Sequence, residues 1–262
     1  MLPAIRKNEI LQFINEHSSA SVKTLAERFK VNTVTIRKDL SELHQQQLLV
    51  RTHGGAVSIA MTKSHDSPVS HRRDLNRKEK DVIGQTAASL VTDGDTIIVD
   101  DSSTVLAMVR YLKSRVQLTV VTNSVYVLKE LSDSSSIEVI GVGGNFNGKT
   151  MSFLGGETED GFKRYHVDRA FISPRGLTIS KGMMDARLDV ARIHRAAIAC
   201  AEETIVLADV SKLGIECFAV VAPLSSARVL VMNEPPPDDF SQHLEAHGTR
   251  LLLPAPGAKA AS

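Results

Sequence analysis

The chain has 262 residues, 42% of them hydrophobic and 23% charged, with a formal net charge of +1 and only two cysteines. That length suits two domains and that composition suits a globular fold; Cys200 and Cys217, both in apolar segments, fit buried reduced thiols better than a disulfide or a metal site. No run of about eighteen apolar residues exists and the N-terminus lacks a signal-peptide core, which predicts a cytoplasmic protein without a membrane partner. The nine histidines show neither HExxH nor Cys-His spacing, so no metal and no cofactor is expected.

Arg6 to Glu16 is the first predicted helix, with Ile10, Leu11 and Ile14 as its apolar side and with Arg6 and Lys7 in reach of phosphates. Ser21 caps a second helix, in which Val22, Leu25, Ala26 and Phe29 share one face. Asn32 caps a third, in which Ile36, Leu40 and Leu43 form a single apolar stripe. On the opposite side of this third helix lie Val34, Arg37, Lys38, Ser41 and Gln45, with Thr33 on the shoulder and Thr35 on the acidic flank beside Asp39 and Glu42.

Such a face fits a DNA major groove. Arg and Lys bond guanine edges or phosphates, Ser, Thr and Gln serve bases or backbone, and a helix N-terminus itself favours phosphate. Asp39 is expected to orient an arginine rather than touch DNA. Leu48 to Val50, then Gly54-Gly55 and the residues after them, predict a strand, a turn and a returning strand: a wing whose Arg51 and His53 lie along the backbone or minor groove. Pattern alone also suits an ordinary helical bundle with a solvated basic face. Residues 1 to 80 hold fourteen Lys and Arg against eight Asp and Glu, and residues 81 to 262 hold seventeen against twenty-two, so the excess of positive charge sits at the end with the DNA-binding pattern.

Ser58 to Pro68 is small, polar and aperiodic, as a linker is. The basic run His71, Arg72, Arg73, Arg77, Lys78 and Lys80 suits a solvated helix start. Beyond it, β-rich runs alternate with helical stretches, the pattern of βαβ units and an open, mostly parallel α/β sheet. Strands are predicted at 96–99, 118–121, 137–142, 169–172, 204–208, 218–222 and 228–231, with helices at 80–90, 105–112, 125–131 and 188–201. A short helix over 240–247 and a last strand over 251–253 follow, and the tail from 254 is predicted to be disordered. The expected layout is a winged helix-turn-helix domain over 1–57, a linker over 58–75 and an α/β sensing domain over 76–253.

Polar residues gather where these strands end. Asp100, Asp101, Ser102, Ser103 and Thr104 follow the first strand, Thr122 and Asn123 the second, Gly143 and Gly144 the third, and Asp209 to Lys212 the 204–208 strand. Open α/β sheets bind ligands outside the carboxyl ends of their strands, so these segments predict one crevice. Hydroxyls at a helix N-terminus with Lys212 would hold a phosphate, while Asp100 or Asp101 and Asn123 would take sugar hydroxyls. Taken singly, each segment is also an ordinary cap, turn or surface lysine.

The wording of the N-terminal stretch closely resembles the DeoR family of bacterial transcriptional regulators. The resemblance is carried by Leu25-Ala26-Glu27 with Phe29 and Val31, by Thr35-Ile36-Arg37-Lys38-Asp39-Leu40 with Leu43, and by Arg51-Thr52-His53-Gly54-Gly55-Ala56. Asn32 stands where the family usually has Ser, and Gln47 where it usually has Gly.

The second half is similar to the family's effector domain through Gly94-Asp95-Thr96, Asp100, Ser103-Thr104, Val121-Thr122-Asn123, Gly143-Gly144, Gly155, Asp168 to Ile172, Gly176, Gly182 and Leu207-Ala208-Asp209 with Ser211-Lys212. Here Ser102 replaces a usual Gly, and Ser173-Pro174-Arg175 replaces a Gly-Ala-like segment. An Arg175 guanidinium could thus grip a phosphate or carboxylate, although an exposed loop arginine is the commoner outcome.

The resemblance, over about residues 3 to 232, implies a recognition helix at Thr33 to Gln45 and a sensor fold related to ribose-5-phosphate isomerase. It also implies a repressor of a sugar or polyol operon that a phosphorylated sugar or polyol effector releases from operator DNA. Reading paired half-sites implies a homodimer or homotetramer. The rival is a sugar-phosphate isomerase or deaminase with an accessory DNA-binding domain. It is disfavoured because no Glu or His follows the strand-end loops at close spacing, so no catalytic residues are expected.

Overall fold

The computed structural model describes residues 2–17, 19–46, 48–51, 54–58 and 68–255, in two compact units, Met1–His71 and Arg72–Ser262. His53, the Gln47 turn, most of the linker and the tail beyond 255 lie outside the described residues.

The first unit consists of helices α1 (Pro3–His17), α2 (Val22–Phe29) and α3 (Thr33–Gln45) and strands β1 (Ser19–Ser21), β2 (Leu49–Arg51) and β3 (Gly55–Ser58). The predicted caps form: Ser21 Oγ accepts from the Thr24 amide at 3.0 Å, and Asn32 Oδ1 from the Thr35 amide at 2.7 Å. Lys30, at φ 52°, turns the chain out of α2 in the left-handed conformation. Ile10, Ile14, Leu25, Ile36, Leu40 and Leu49 are fully buried in one core. The strands form an antiparallel sheet in the order β1-β3-β2. Strand β1, too short to show a period of two, was not anticipated from the sequence. It explains Gly55, where a Cβ would sit 2.1 Å from the Ala20 carbonyl oxygen.

Helix α4 (Val69–Asp74) covers part of the stretch expected to be linker. There follow α5 (Arg77–Ala88), β4 (Thr96–Val99), α6 (Ser103–Val109) with a 3-10 turn at Arg110–Leu112, β5 (Leu118–Thr122), α7 (Val125–Leu131), β6 (Ile137–Gly141), β7 (Asn145–Asn147), β8 (Ser152–Leu154), α8 (Gly156–Phe162), β9 (Val167–Ile172), β10 (Gly176–Thr178), β11 (Gly182–Asp185), α9 (Leu188–Cys200), β12 (Ala201–Ala208), β13 (Ala219–Ala222), β14 (Val229–Met232), α10 (Asp238–Ala246) and β15 (Arg250–Leu252). Seven strands form a wholly parallel sheet in the order β15-β14-β12-β9-β4-β5-β6. Ile97 and Val99 belong to the core on one face and Ile98 to the core on the other, so β4 after Thr96 is a continuous apolar run, as in a sheet covered on both sides. Helices α5 and α6 approach so closely that a Cβ on Gly84 would stand 2.7 Å from the backbone of Ala107 and Met108.

Three expectations need correction. The 218–222 strand does not join the parallel sheet; as β13 it pairs antiparallel with β11, in a small sheet of order β10-β11-β13. The basic run is not solvated throughout, because Lys80 is buried. Arg6 and Lys7 do not stand free for phosphates: Arg6 Nε and Nη2 donate to both Asp39 oxygens at 2.6 and 3.2 Å, and Lys7 pairs with Glu42 at 2.9 Å. Among the described residues no helix is long and apolar enough to cross a membrane.

Candidate nucleic-acid interface and strand-end site

The face of α3 opposite its buried stripe is open. Thr33, Val34, Arg37, Lys38 and Gln45 are exposed, and Val34, at 68%, is an apolar projection suited to a thymine methyl. Thr35 and Ser41 are half-buried. Thr35 Oγ1 donates to Asn32, whereas Ser41 Oγ donates to the Arg37 carbonyl and accepts from Arg51 Nη1 at 2.8 Å, which ties the wing strand to α3. Asp39 orients an arginine as expected, and that arginine is Arg6, whose guanidinium is held above its ordinary pKa mainly by the Asp39 hydrogen bond. Lys7 holds the Glu42 carboxyl below the usual range. Neither acid therefore faces DNA as a free repulsive charge.

In the second unit the ends of β4, β5, β6, β9 and β12 bring the predicted polar segments to one edge of the sheet. Asp100 is the hub. Its Oδ1 accepts from the amide and hydroxyl of Ser102 at 2.9 and 2.6 Å, and its Oδ2 from the Ser173 amide at 2.7 Å and His194 Nε2 at 3.1 Å. All four acceptor directions are used and the side chain is buried, so Asp100 frames the site rather than presenting an oxygen to a sugar. Ser102 is likewise committed, since its hydroxyl also accepts from Val105 as the cap of α6.

His194, from α9, escaped the sequence reading because 94 residues separate it from Asp100. Burial would lower its pKa, but the hydrogen bond and charge of Asp100, with Asp185 and Asp101 nearby, hold it above the ordinary value. The ring thus lies between two carboxylates, with Nε2 on Asp100 and Nδ1 3.6 Å from Asp185 Oδ2. Asp101 lies beside it, bound by Ser152 Oγ at 2.6 Å. Burial and the neighbouring Asp100 push its carboxyl up to about 6.

Thr122 bridges β5 to the Val99 carbonyl and accepts from the Ser124 amide. Asn123 donates to the Phe153 carbonyl at 2.9 Å, but its buried Oδ1 has no hydrogen-bond partner among the described residues. Gly143 offers its carbonyl to Thr158, and a Cβ on Gly144 would fall 2.1 Å from Thr158 Oγ1, so the glycine pair seats α8. Ser103 and Thr104 are buried at the start of α6. Lys212 Nζ reaches Ser173 Oγ at 2.6 Å and Thr104 Oγ1 at 3.4 Å; burial lowers its pKa, partly offset by Asp209. Arg175 is half-buried rather than an exposed loop residue, close enough to lower the pKa values of both Lys212 and Lys80. Lys212 and Arg175 at this edge suit an anionic group, and the Asn123 amide oxygen at the end of β5 suits a hydroxyl.

A model of the DeoR C terminal sensor domain matches residues 75–234, and one of the DeoR-like helix-turn-helix domain matches residues 6–62. Ribose 5-phosphate isomerase A from Methanocaldococcus jannaschii is similar at 19% identity and a TM-score of 0.38, over 51% of this chain and 53% of that one. Among curated relatives, the HTH-type transcriptional regulator YulB of Bacillus subtilis is 38% identical, covering 88% of this chain and 89% of its own. The HTH-type transcriptional repressor GlcR of the same organism is 33% identical, with 93% of each covered. The transcriptional repressor AccR of Agrobacterium fabrum is 31% identical, with 86% and 88% covered.

Proposed function

Because the chain belongs to the DeoR family of transcriptional regulators, we propose that it is a cytoplasmic repressor of a sugar or polyol catabolic operon, released from its operator by a phosphorylated sugar or polyol. The observation that carries this reading is Lys212, a half-buried ammonium at the sheet's carboxyl edge, with Thr104 and Ser173 beside it; the amide oxygen of Asn123 lies at the end of β5, further along the same edge. The phosphate meets Lys212, Ser103 and Thr104, with Arg175 as a second cation; Asn123 and Asp101 take hydroxyls. Two of the relatives are repressors by name, which supports the sign of regulation. Reading paired half-sites calls for a homodimer or homotetramer. The effector acts by linkage: if it favours the arrangement that cannot span the operator, it weakens DNA binding by its differential affinity, commonly about 1 to 3 kcal/mol.

The protein is not an enzyme in this reading. The Asp100–His194 pair has the residue types of an acid-base couple, but both side chains are buried and Asp100 has no acceptor position left for a substrate proton. A thermal-shift screen of pentose, hexose and polyol monophosphates, followed by gel shifts on the protein's own promoter region, tests the proposal. The expected result is a compound that raises the melting temperature, releases the DNA and is recovered unchanged. Turnover of that compound would overturn the regulatory reading.

A further inference from the structure

The segment that enters the sheet unit is fastened to the very turn that carries Lys212. Asn76, in the left-handed conformation at φ 50°, donates from Nδ2 to Asp209 Oδ1 at 3.1 Å and lies 3.2 Å from Ser211 Oγ. Four residues later, the buried Lys80 ammonium donates to the Arg72 carbonyl and, at 2.6 Å, to the Leu75 carbonyl, so a cation caps the chain as it leaves α4. An ammonium held between two neutral carbonyls has an unusual place in a protein interior, because burial without a carboxylate partner disfavours its charge. Burial and the charge of Lys212 together press the Lys80 pKa down to about 7, while Asp209 holds it up. Lys212 and Ser211, in turn, hold the Asp209 carboxyl below the ordinary range against the effect of burial.

We propose that Asn76 and Lys80 form a latch that reports the state of the Asp209–Lys212 turn to residues 72–75, where the chain arrives from the DNA-binding unit; this rests on the reading that the strand ends take the effector. Its working parts are electrostatic. An anion that engages Lys212 offsets the charge that Lys212 exerts on Asp209 and on Lys80. Asp209 then redistributes its hydrogen bonds between Ser211 and Asn76, and the Lys80 charge sits more firmly on the Arg72 and Leu75 carbonyls. The occupied and empty sites therefore hold residues 72–76 with different strength.

The test is a double-mutant cycle on the full chain, read by amide exchange of residues 72–76 with and without inorganic phosphate. Asn76→Gly removes the amide but tolerates the left-handed backbone; Lys212→Ala removes the cation. Phosphate and Lys212→Ala should each change exchange at 72–76 by roughly fivefold in the otherwise wild-type chain, the worth of about one hydrogen bond, and by little when Asn76 is Gly. Equal effects in both backgrounds would overturn the latch. If phosphate has no effect but Lys212→Ala still acts only when Asn76 is present, the latch stands and the effector assignment of Lys212 fails. Should Asn76→Gly melt the unit, Asn76→Asp, which sets a carboxylate against Asp209 in the same backbone conformation, completes the cycle.

Discussion

Asp101 shows what a single buried carboxylate costs and when. Its pKa in the folded protein, about 6, lies above the ordinary Asp value, so the folded state disfavours its charge. Below the unfolded pKa both states are protonated and there is no penalty; the penalty develops as pH rises through the folded pKa. Asp101→Asn keeps an oxygen for Ser152, and it should stabilise the protein by about 2 to 3 kcal/mol at pH 7.5 and by nothing below about pH 4. Urea unfolding at the two pH values measures this, and an advantage independent of pH would show that folding leaves the Asp101 pKa where it is in the unfolded chain. The Arg6–Asp39 pair works in the opposite sense, because each partner satisfies the other. Asp39→Ala leaves a buried guanidinium with its bidentate acceptor gone, a loss of about 2 kcal/mol. In a unit of this size that lowers the melting temperature by roughly 10 °C, visible by calorimetry.

At the scale of elements, glycines decide where two backbones meet. Gly84 lets α5 lie against α6, and any Cβ there would press on Ala107 and Met108 main-chain atoms that cannot step aside. Gly84→Ala should therefore destabilise the sheet unit by about 1 to 3 kcal/mol, although alanine is the better helix former. An unchanged melting temperature would mean that the helices separate freely. The same scale separates what was legible in the sequence from what was not. The α2 and α3 caps and stripes were legible because they are local, with Ser21, Asn32 and the Ile36, Leu40, Leu43 spacing all lying within one or two turns. The parallel strands were legible because burial on both faces makes them continuous apolar runs. Strands β1, β7, β8, β10 and β11 have only three or four residues each, and Phe218 to Ala222 carries no mark of which sheet it joins. His194 and Lys80 were missed as site neighbours because their partners are set by packing, and spacing along the chain records nothing of that.

At the scale of the whole molecule, charge and exposure point the same way. The excess of Lys and Arg lies in the first eighty residues, where Arg37 and Lys38 stand exposed on α3 while Arg6 and Lys7 are already spent on Asp39 and Glu42. DNA affinity should then come mainly from a few free cations on one helix and the wing, and it should fall steeply with salt as those cations give up their phosphates to counterions. Arg37→Ala or Lys38→Ala should weaken binding to the protein's own promoter region by about 1 to 3 kcal/mol without changing the melting temperature. A residue that contacts phosphate should also reduce the slope of log affinity against log salt by about 1, whereas one that contacts a base should leave the slope and lower discrimination between sequences. Arg6→Gln serves as the contrast: it should lower the melting temperature and leave the slope alone, because its partner is Asp39. A fragment beginning at Ser70 should fold, keep its assembly and its effector, and lose DNA binding altogether. Fluorescence anisotropy across a salt series reads the slopes, melting curves read the stabilities, and size-exclusion chromatography with a thermal-shift titration of the fragment reads its assembly and effector binding. A slope that drops with Arg6→Gln but not with Arg37→Ala or Lys38→Ala would move the interface from α3 to the start of α1.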